Sequence, residues 1–302
     1  MDTLVKSAPL ARLNSDQIER RLGTCPRLPS LASINHVLQE LLDAEQYYTS
    51  QIADVIRRDP SMTTRLLRLV NSVYYGLSAP VSSIEEGVFY LGVRQIRRLA
   101  VVTPIIEDLQ RLAGRIRFPW REFWRHCIAT AIMTRETLGD IQPSVDEADY
   151  VAGLLHDVGK IVMVAAFPEY FEQIQARVQE DKTNLLGIEA ELLGVNHCEL
   201  GARYLSAHKL PAVTIQSVLF HHHPARAESE VRIVAAVQVA DLFVRYAKVG
   251  NSGNPGEVTA EVWMGAEGWD LLFPGSPDAR SLGRANMEGS LERLSSILEG
   301  LV

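Results

Sequence analysis

Ser144-Val145-Asp146-Glu147-Ala148-Asp149-Tyr150-Val151-Ala152-Gly153-Leu154-Leu155-His156-Asp157-Val158-Gly159-Lys160 is the stretch on which the fold turns. Ser144 followed three residues later by Glu147 has the pattern of a capping box. Ala148, Val151, Ala152 and Leu155 then recur at i, i+3, i+4 and i+7, one apolar stripe of a buried helix. The pattern runs out near Gly159, which puts His156 and Asp157 in the last turn of that helix. Two residues that bind metals or move protons thus close an otherwise apolar segment.

Helical signals also dominate on either side. A helix is expected from Ala44 to Arg58, stopping at Asp59-Pro60 because a proline turns the preceding residue away from helical angles. Another runs from Ser61 to Tyr75 and stops at Gly76. Ser82 with Glu85 and Asn196 with Glu199 repeat the capping-box pattern. The second places His197 on the first turn of a helix through Ser206. Pro211 and Pro224 bracket a further helix whose final turn is His221-His222-His223. Strand-like alternation is scarce, so the chain reads as all-α.

Gly250 to Gly256, Gly-Asn-Ser-Gly-Asn-Pro-Gly, reads as a linker. The residues after it carry eight acids and three arginines, with Leu291, Leu294, Ile297 and Leu298 at helical spacing, and read as a separate tail. The expected organisation is an N-terminal tail over 1–20 and an N-terminal helical subdomain over 21–117. A helical subdomain bearing the histidines follows over 118–250, then linker and tail over 251–302.

Composition narrows the function. The chain has 302 residues, 47% hydrophobic and 22% charged, with 30 Lys and Arg against 37 acids and a net charge of −7. That is an ordinary globular balance, and its sign speaks against a dedicated binder of duplex nucleic acid. The longest apolar run, Ile161 to Phe167, is far below the ~20 residues that cross a bilayer. With no secretory leader in view and three cysteines that form no CxxC, the chain is expected to work in the cytoplasm, without a membrane partner.

Seven of the eight histidines fall between His126 and His223. His126, the His156-Asp157 doublet, His197, the His221-His222-His223 run and Asp241 each lie on or beside a different expected helix, and packed helices can aim such groups at one point. Imidazole with carboxylate suits iron, zinc or manganese better than calcium. Adjacent residues on a helix diverge by about 100°, so the two doublets favour two ions sharing ligands over one tight shell, with Asp157 as the bridge. Lys160 is placed to offer charge to a phosphate oxygen. Each piece has a plainer reading: His126 as a packing residue, Asp241 as a surface carboxylate, Lys160 as a complement to a helix C-terminus. Cys127 and Cys198 each follow a candidate ligand, and a mixed Cys/His zinc site is a further alternative.

Gly153 to Lys160 is similar to the HD signature of the metal-dependent phosphohydrolases, and His126, His156-Asp157 and Asp241 follow the order of that superfamily's H…HD…D set. Leu28-Pro29, Asp59-Pro60, Asn71-Ser72-Val73-Tyr74-Tyr75 and Ser83-Ile84 through Leu91-Gly92 resemble the HDOD domain, a bacterial output module related to the HD enzymes. The resemblance covers about Arg27 to Gly250. It implies an N-terminal helical subdomain packed on an HD-like bundle, and a role in signalling through a protein partner. Many members lack HD ligands; this chain keeps His126, His156, Asp157 and Asp241. His197, His221 and His222 correspond in order to further ligands of the related HD-GYP phosphodiesterases. Pro224-Ala225-Arg226-Ala227 stands where those enzymes carry GYP, which argues against cyclic diguanylate as a substrate. If the chain is an enzyme, Asp157 and Lys160 are the catalytic candidates.

Seven arginines between Arg94 and Arg121 against Glu107 and Asp108 form a basic stretch, with Arg94, Arg97 and Arg98 on one helical face. It reads as a solvated surface or as a seat for an anionic partner such as a nucleotide. The function classes left in view are a signalling module with a metal centre, a metal-dependent phosphohydrolase acting on a phosphate ester, and a nucleotide-binding regulatory module.

Overall fold

The computed structural model describes residues 10–25, 49–57, 63, 66–67, 70, 80–92, 96, 118–139, 141, 148–180, 184–207 and 210–301. The described residues are helical and contain no strand. In chain order the helices are α1 (Ser15–Thr24), α2 (Thr49–Arg57), α3 (84–92), α4 (Trp120–Gly139), α5 (Ala148–Leu155), α6 (Val158–Ala166) and α7 (Pro168–Glu180). They continue as α8 (Leu185–Leu192), α9 (His197–Ala207), α10 (Ala212–Phe220), α11 (Val231–Tyr246), α12 (Ala260–Met264), α13 (Glu267–Leu272) and α14 (Pro277–Leu301). None of them is long and apolar enough to cross a membrane.

Two apolar cores result. Ile52, Ile56, Leu66, Val70, Val88 and Ile96 bury together in the N-terminal half. The larger core is built on α4 and α11, which pack against each other and both against α5, while α6 packs on α9. Phe123, Leu155, Ile161, Tyr204 and Phe243 are all buried in it. Ile18 and Leu22 of α1 belong to this second core, so the boundary expected at residue 20 falls inside a helix that serves the histidine-bearing bundle.

The helix ends differ from the sequence reading in informative ways. α5 stops at Leu155, His156 and Asp157 form a turn, and α6 starts at Val158. Gly159 is therefore in the first turn of the next helix, and the doublet sits at the corner between two helices. α10 ends at Phe220, so His221 and His222 occupy the turn after it, and His223 is exposed. The cap of α3 is Ser83, whose hydroxyl accepts from the Glu86 amide at 3.4 Å, one residue beyond the expected Ser82. Asn196 caps α9 as expected, its Oδ1 accepting from the Glu199 amide at 3.0 Å. The Ser144–Glu147 box, the Ala44 end of the first expected helix, the helix expected from Ser61 apart from a few positions, and Arg94, Arg97 and Arg98 lie outside the described residues.

Where composition reads a linker, the structure has a strap tied to α4. Asn251 donates its amide to the Glu122 carbonyl at 2.9 Å, and Ser252 is buried. Gly250 has φ +68°, and a Cβ there would lie 2.4 Å from the Glu122 oxygen and from the His126 nitrogen. Only glycine fits this pass over α4. Nor does the C-terminal segment stand apart. Trp263 and Trp269 are fully buried in the main core, α13 packs on α11, and Leu294 and Leu298 of α14 join the same core. Two buried indoles bring about 2–3 kcal/mol each, enough to dock an acidic segment that looks solvated in sequence.

Candidate metal centre

The corner between α5 and α6 sits where α6 and α9 approach closely. At Gly159 a Cβ would stand 1.8 Å from the His197 carbonyl oxygen and 2.9 Å from the Gly201 nitrogen. Glycine thus lets α6 and α9 touch backbone to backbone, which brings the start of α9 up to the His156-Asp157 turn. Asp157 occupies the N-cap position of α6 but makes no side-chain cap there. Its carboxylate turns into the bundle instead.

Around that carboxylate the described residues gather every candidate ligand. On the Oδ2 side, His156 Nε2 is 3.4 Å away and His126 Nε2 3.9 Å. Those two ring nitrogens are 3.3 Å apart, and Asp241 Oδ1 lies 3.1 Å from His126 Nε2 and 3.7 Å from His156 Nε2. On the Oδ1 side, His197 Nε2 is at 3.4 Å and His221 Nε2 at 3.9 Å, and His222 Nε2 is 3.3 Å from His197 Nε2. His126, His156, Asp157, Lys160, His197, His221 and Asp241 are all buried, and His222 is half-buried.

Three ring Nδ1 atoms of this cluster are bonded away from the shared carboxylate. His156 Nδ1 donates to the Gly153 carbonyl at 2.8 Å and His221 Nδ1 to the Val218 carbonyl at 3.0 Å; His197 Nδ1 meets the Glu189 carboxylate at 2.7 Å. A neutral imidazole carries one N–H, so His221 turns an unprotonated Nε2 inward, and His156 and His197 do the same once each gives up its second proton. Asp157 Oδ1 and His221 Nε2 have no hydrogen-bond partner at all. Buried acceptors left this way cost about 1–3 kcal/mol each, and a divalent cation answers all of them together. The residues present fit a metal, in two sets that meet at Asp157.

Electrostatics follow the same division. Burial works to raise the Asp157 carboxyl, but Lys160, then His156, His197 and His221, outweigh it and hold it well below the usual range. Asp241 is likewise held well below, against burial, by hydrogen bonds with His126 and His156 and by Arg245. Burial lowers His126, and it takes His221 down to about 3 with help from His156. Burial also drives His222 well below the ordinary imidazole value. His156 moves up, because Asp157 and Asp241 overcome burial. His197 rises to about 10 against burial, with Cys198 and Glu189 beside it.

Lys160 is placed beside the cluster, but two of its three donors are engaged. Nζ donates to Asp157 Oδ2 at 2.7 Å and to the Ser252 carbonyl of the strap at 2.9 Å. Three neighbours escaped the sequence reading. Glu189 accepts from both the amide and the ring of His197, at 2.9 and 2.7 Å; its signal is a carboxylate on the buried side of α8, four residues after Leu185. Gln238 donates to the His222 carbonyl at 3.0 Å and accepts from the Gly268 amide at 2.8 Å, tying the histidine turn to α13. Ser252 gave no signal, because it meets Lys160 through its backbone carbonyl.

A helical bundle whose corners and helix ends point histidines and aspartates at one carboxylate fits the order of His126, His156-Asp157 and Asp241 along the sequence. The HDOD domain profile matches residues 28–224, and the chain belongs to that family. An uncharacterized protein of Treponema pallidum (strain Nichols) is 26% identical over 230 residues, 76% of this chain, and the chain spans about 44% of that relative's length. Among solved structures, an HDOD domain protein of unknown function from Geobacter sulfurreducens superposes with a TM-score of 0.78 at 23% identity, covering 95% of this chain and 97% of its own. A protein from Shewanella amazonensis SB2B, provisionally named a phosphohydrolase, gives 0.69 at 21% identity, covering 94% and 98%. Likeness at these identities establishes the fold.

Proposed function

We propose that the chain is a signalling module that holds two divalent transition ions, drawn from iron, zinc and manganese, and passes the state of that centre to a protein partner. One ion belongs to His126, His156, Asp241 and Asp157 Oδ2, the other to His197, His221, His222 and Asp157 Oδ1. The observation that carries this reading is the convergence of buried ring Nε2 atoms on a carboxylate whose Oδ1, like His221 Nε2, has no hydrogen-bond partner. Metal binding to such ligands is folding free energy, so the loaded and empty states differ in how firmly α4, α5, α9, α10 and α11 are held together. That difference is what a partner can read.

A phosphohydrolase reading is favoured by Lys160 beside Asp157 and by the provisional name of the Shewanella relative. Bound ions of this kind polarise phosphoryl oxygens and make water a nucleophile. Against turnover, Lys160 is held by Asp157 and Ser252. The test is to measure metal in the purified protein, then assay phosphomonoesters, phosphodiesters and cyclic nucleotides with wild type and the His156→Ala/Asp157→Ala double variant. Metal without turnover supports the module. Turnover lost in the double variant replaces it with the enzyme, and saturable nucleotide binding without turnover replaces it with a nucleotide sensor. A metal-free wild type refutes the centre itself.

A further inference from the structure

Cys198 follows His197 in the first turn of α9 and is buried, 4% exposed, deep in the bundle. Its sulfur and the ring nitrogens of His197, His221 and His222 offer ligand atoms that all lie within 4.8 Å of one another. Adjacent helical residues ordinarily diverge. Here His221 and His222 come from the turn after α10 and reach the start of α9 from the other side, so both members of the doublet His197-Cys198 face them. A second observation points to a ligand in this spot: His221 Nε2 is buried, unprotonated and without a partner. A neutral thiol is a weak donor and a poor companion for three imidazoles, whereas a thiolate is a strong ligand for a borderline ion.

We propose that Cys198 is a thiolate ligand of the ion held by His197, His221 and His222, taking the fourth position in place of Asp157 Oδ1 and giving a closed Cys–His₃ set that favours zinc. This rests on the two-ion reading above and sharpens it. Sites with four protein ligands hold structure, whereas catalytic sites leave one position for water. Cys198 takes the place such a water would use, and the ion on this side of Asp157 is a clamp between α9 and α10. Binding releases the thiol proton to solvent. The set on the other side of Asp157 has no sulfur among its proposed ligands; Cys127, next to His126 in the chain, is the control thiol.

The experiment is cobalt(II) substitution of the full chain, read by absorption, with Cys198→Ser and Cys127→Ser compared. Cobalt bound through nitrogen and oxygen shows visible ligand-field bands; a thiolate adds an intense near-ultraviolet charge-transfer band. The expected result is that band in wild type and in Cys127→Ser, and its loss in Cys198→Ser with the visible bands retained. Visible bands without the charge-transfer band in wild type, or a band that survives Cys198→Ser, overturns the cysteine ligand while leaving the metal centre standing. No cobalt uptake at all overturns both. Should Cys198→Ser not fold, X-ray absorption on zinc-loaded wild type decides: a sulfur shell at about 2.3 Å supports the assignment, and nitrogen and oxygen alone at about 2.0–2.2 Å overturns it.

Discussion

Gly159→Ala should damage the centre from a distance, through the backbone. The added Cβ would stand 1.8 Å from the His197 carbonyl oxygen, while ordinary contact begins near 3.4 Å, a shortfall of 1.6 Å. The obstacle is backbone on both sides, since Gly201 N lies 2.9 Å from the same Cβ, so no side chain can rotate out of the way. α6 and α9 must part. Overpacking of this kind costs typically 1–3 kcal/mol, and a backbone clash belongs at the upper end. At about 2–4 °C per kcal/mol for a chain somewhat smaller than this one, the melting temperature should fall by roughly 6–12 °C. His197 moves with α9, and ligand distances tolerate only about 0.2 Å, so the ion on the His197 side should be lost and the one on the His126 side kept. Gly289→Ala is the control: it sits in α14 with nothing within 4 Å, and alanine there should stabilise by up to about 1 kcal/mol. Circular dichroism melts and elemental analysis read both effects. A Gly159→Ala protein that melts with wild type and keeps two ions would refute the close approach.

Lys160→Met should leave the Asp157 carboxylate buried beside no ammonium and destabilise the metal-free protein by about 3–5 kcal/mol, measured by urea unfolding; a loss below 1 kcal/mol would mean the pair is not buried as described. Glu189→Gln replaces the charged acceptor for His197 Nδ1 and should weaken binding on that side about 10–100-fold, read by chelator competition; unchanged affinity would remove Glu189 from the account. In metal-free protein, Asp157 and Asp241 have folded pKa values below their unfolded ones. Their contribution should be complete above the unfolded value near 4 and vanish as pH falls through the depressed folded values. Asp241→Asn should therefore flatten the stability-against-pH curve below about pH 5, and an unchanged curve would contradict the assignment. Gly250→Ala should loosen the strap, since its Cβ meets α4 backbone at 2.4 Å with φ at +68°; faster amide exchange at Asn251, whose amide donates to Glu122, is the readout, and unaltered exchange the contrary result.

Much of this centre was legible in the sequence because ligand chemistry is local. Histidine and aspartate at helix ends announce themselves by residue type, and the apolar stripe before His156 fixed which side faces the core. The break at His156-Asp157 was not legible, because Val158, Ile161 and Val162 continue the apolar content past the turn, and both helices are buried. Periodicity cannot mark a corner that has core on both sides. Gly250 to Gly256 misled for the opposite reason: glycine, asparagine and serine look alike whether the chain is solvated or threaded against another backbone, and only the position of Glu122 and His126 separates the two. The docking of Trp263 and Trp269 was hidden by the acids around them. The mixed Cys/His site stayed one alternative among others in the sequence because the neighbours of Cys198, His221 and His222, come from a turn more than twenty residues away.

The most direct test is a crystal structure of the full chain with anomalous difference maps collected at the edge of its bound metal. The expected result is two peaks flanking Asp157, one among His126, His156 and Asp241, the other among His197, His221 and His222. Ordinary water density against those ring nitrogens, with no anomalous signal in metal-supplemented crystals, would contradict the account.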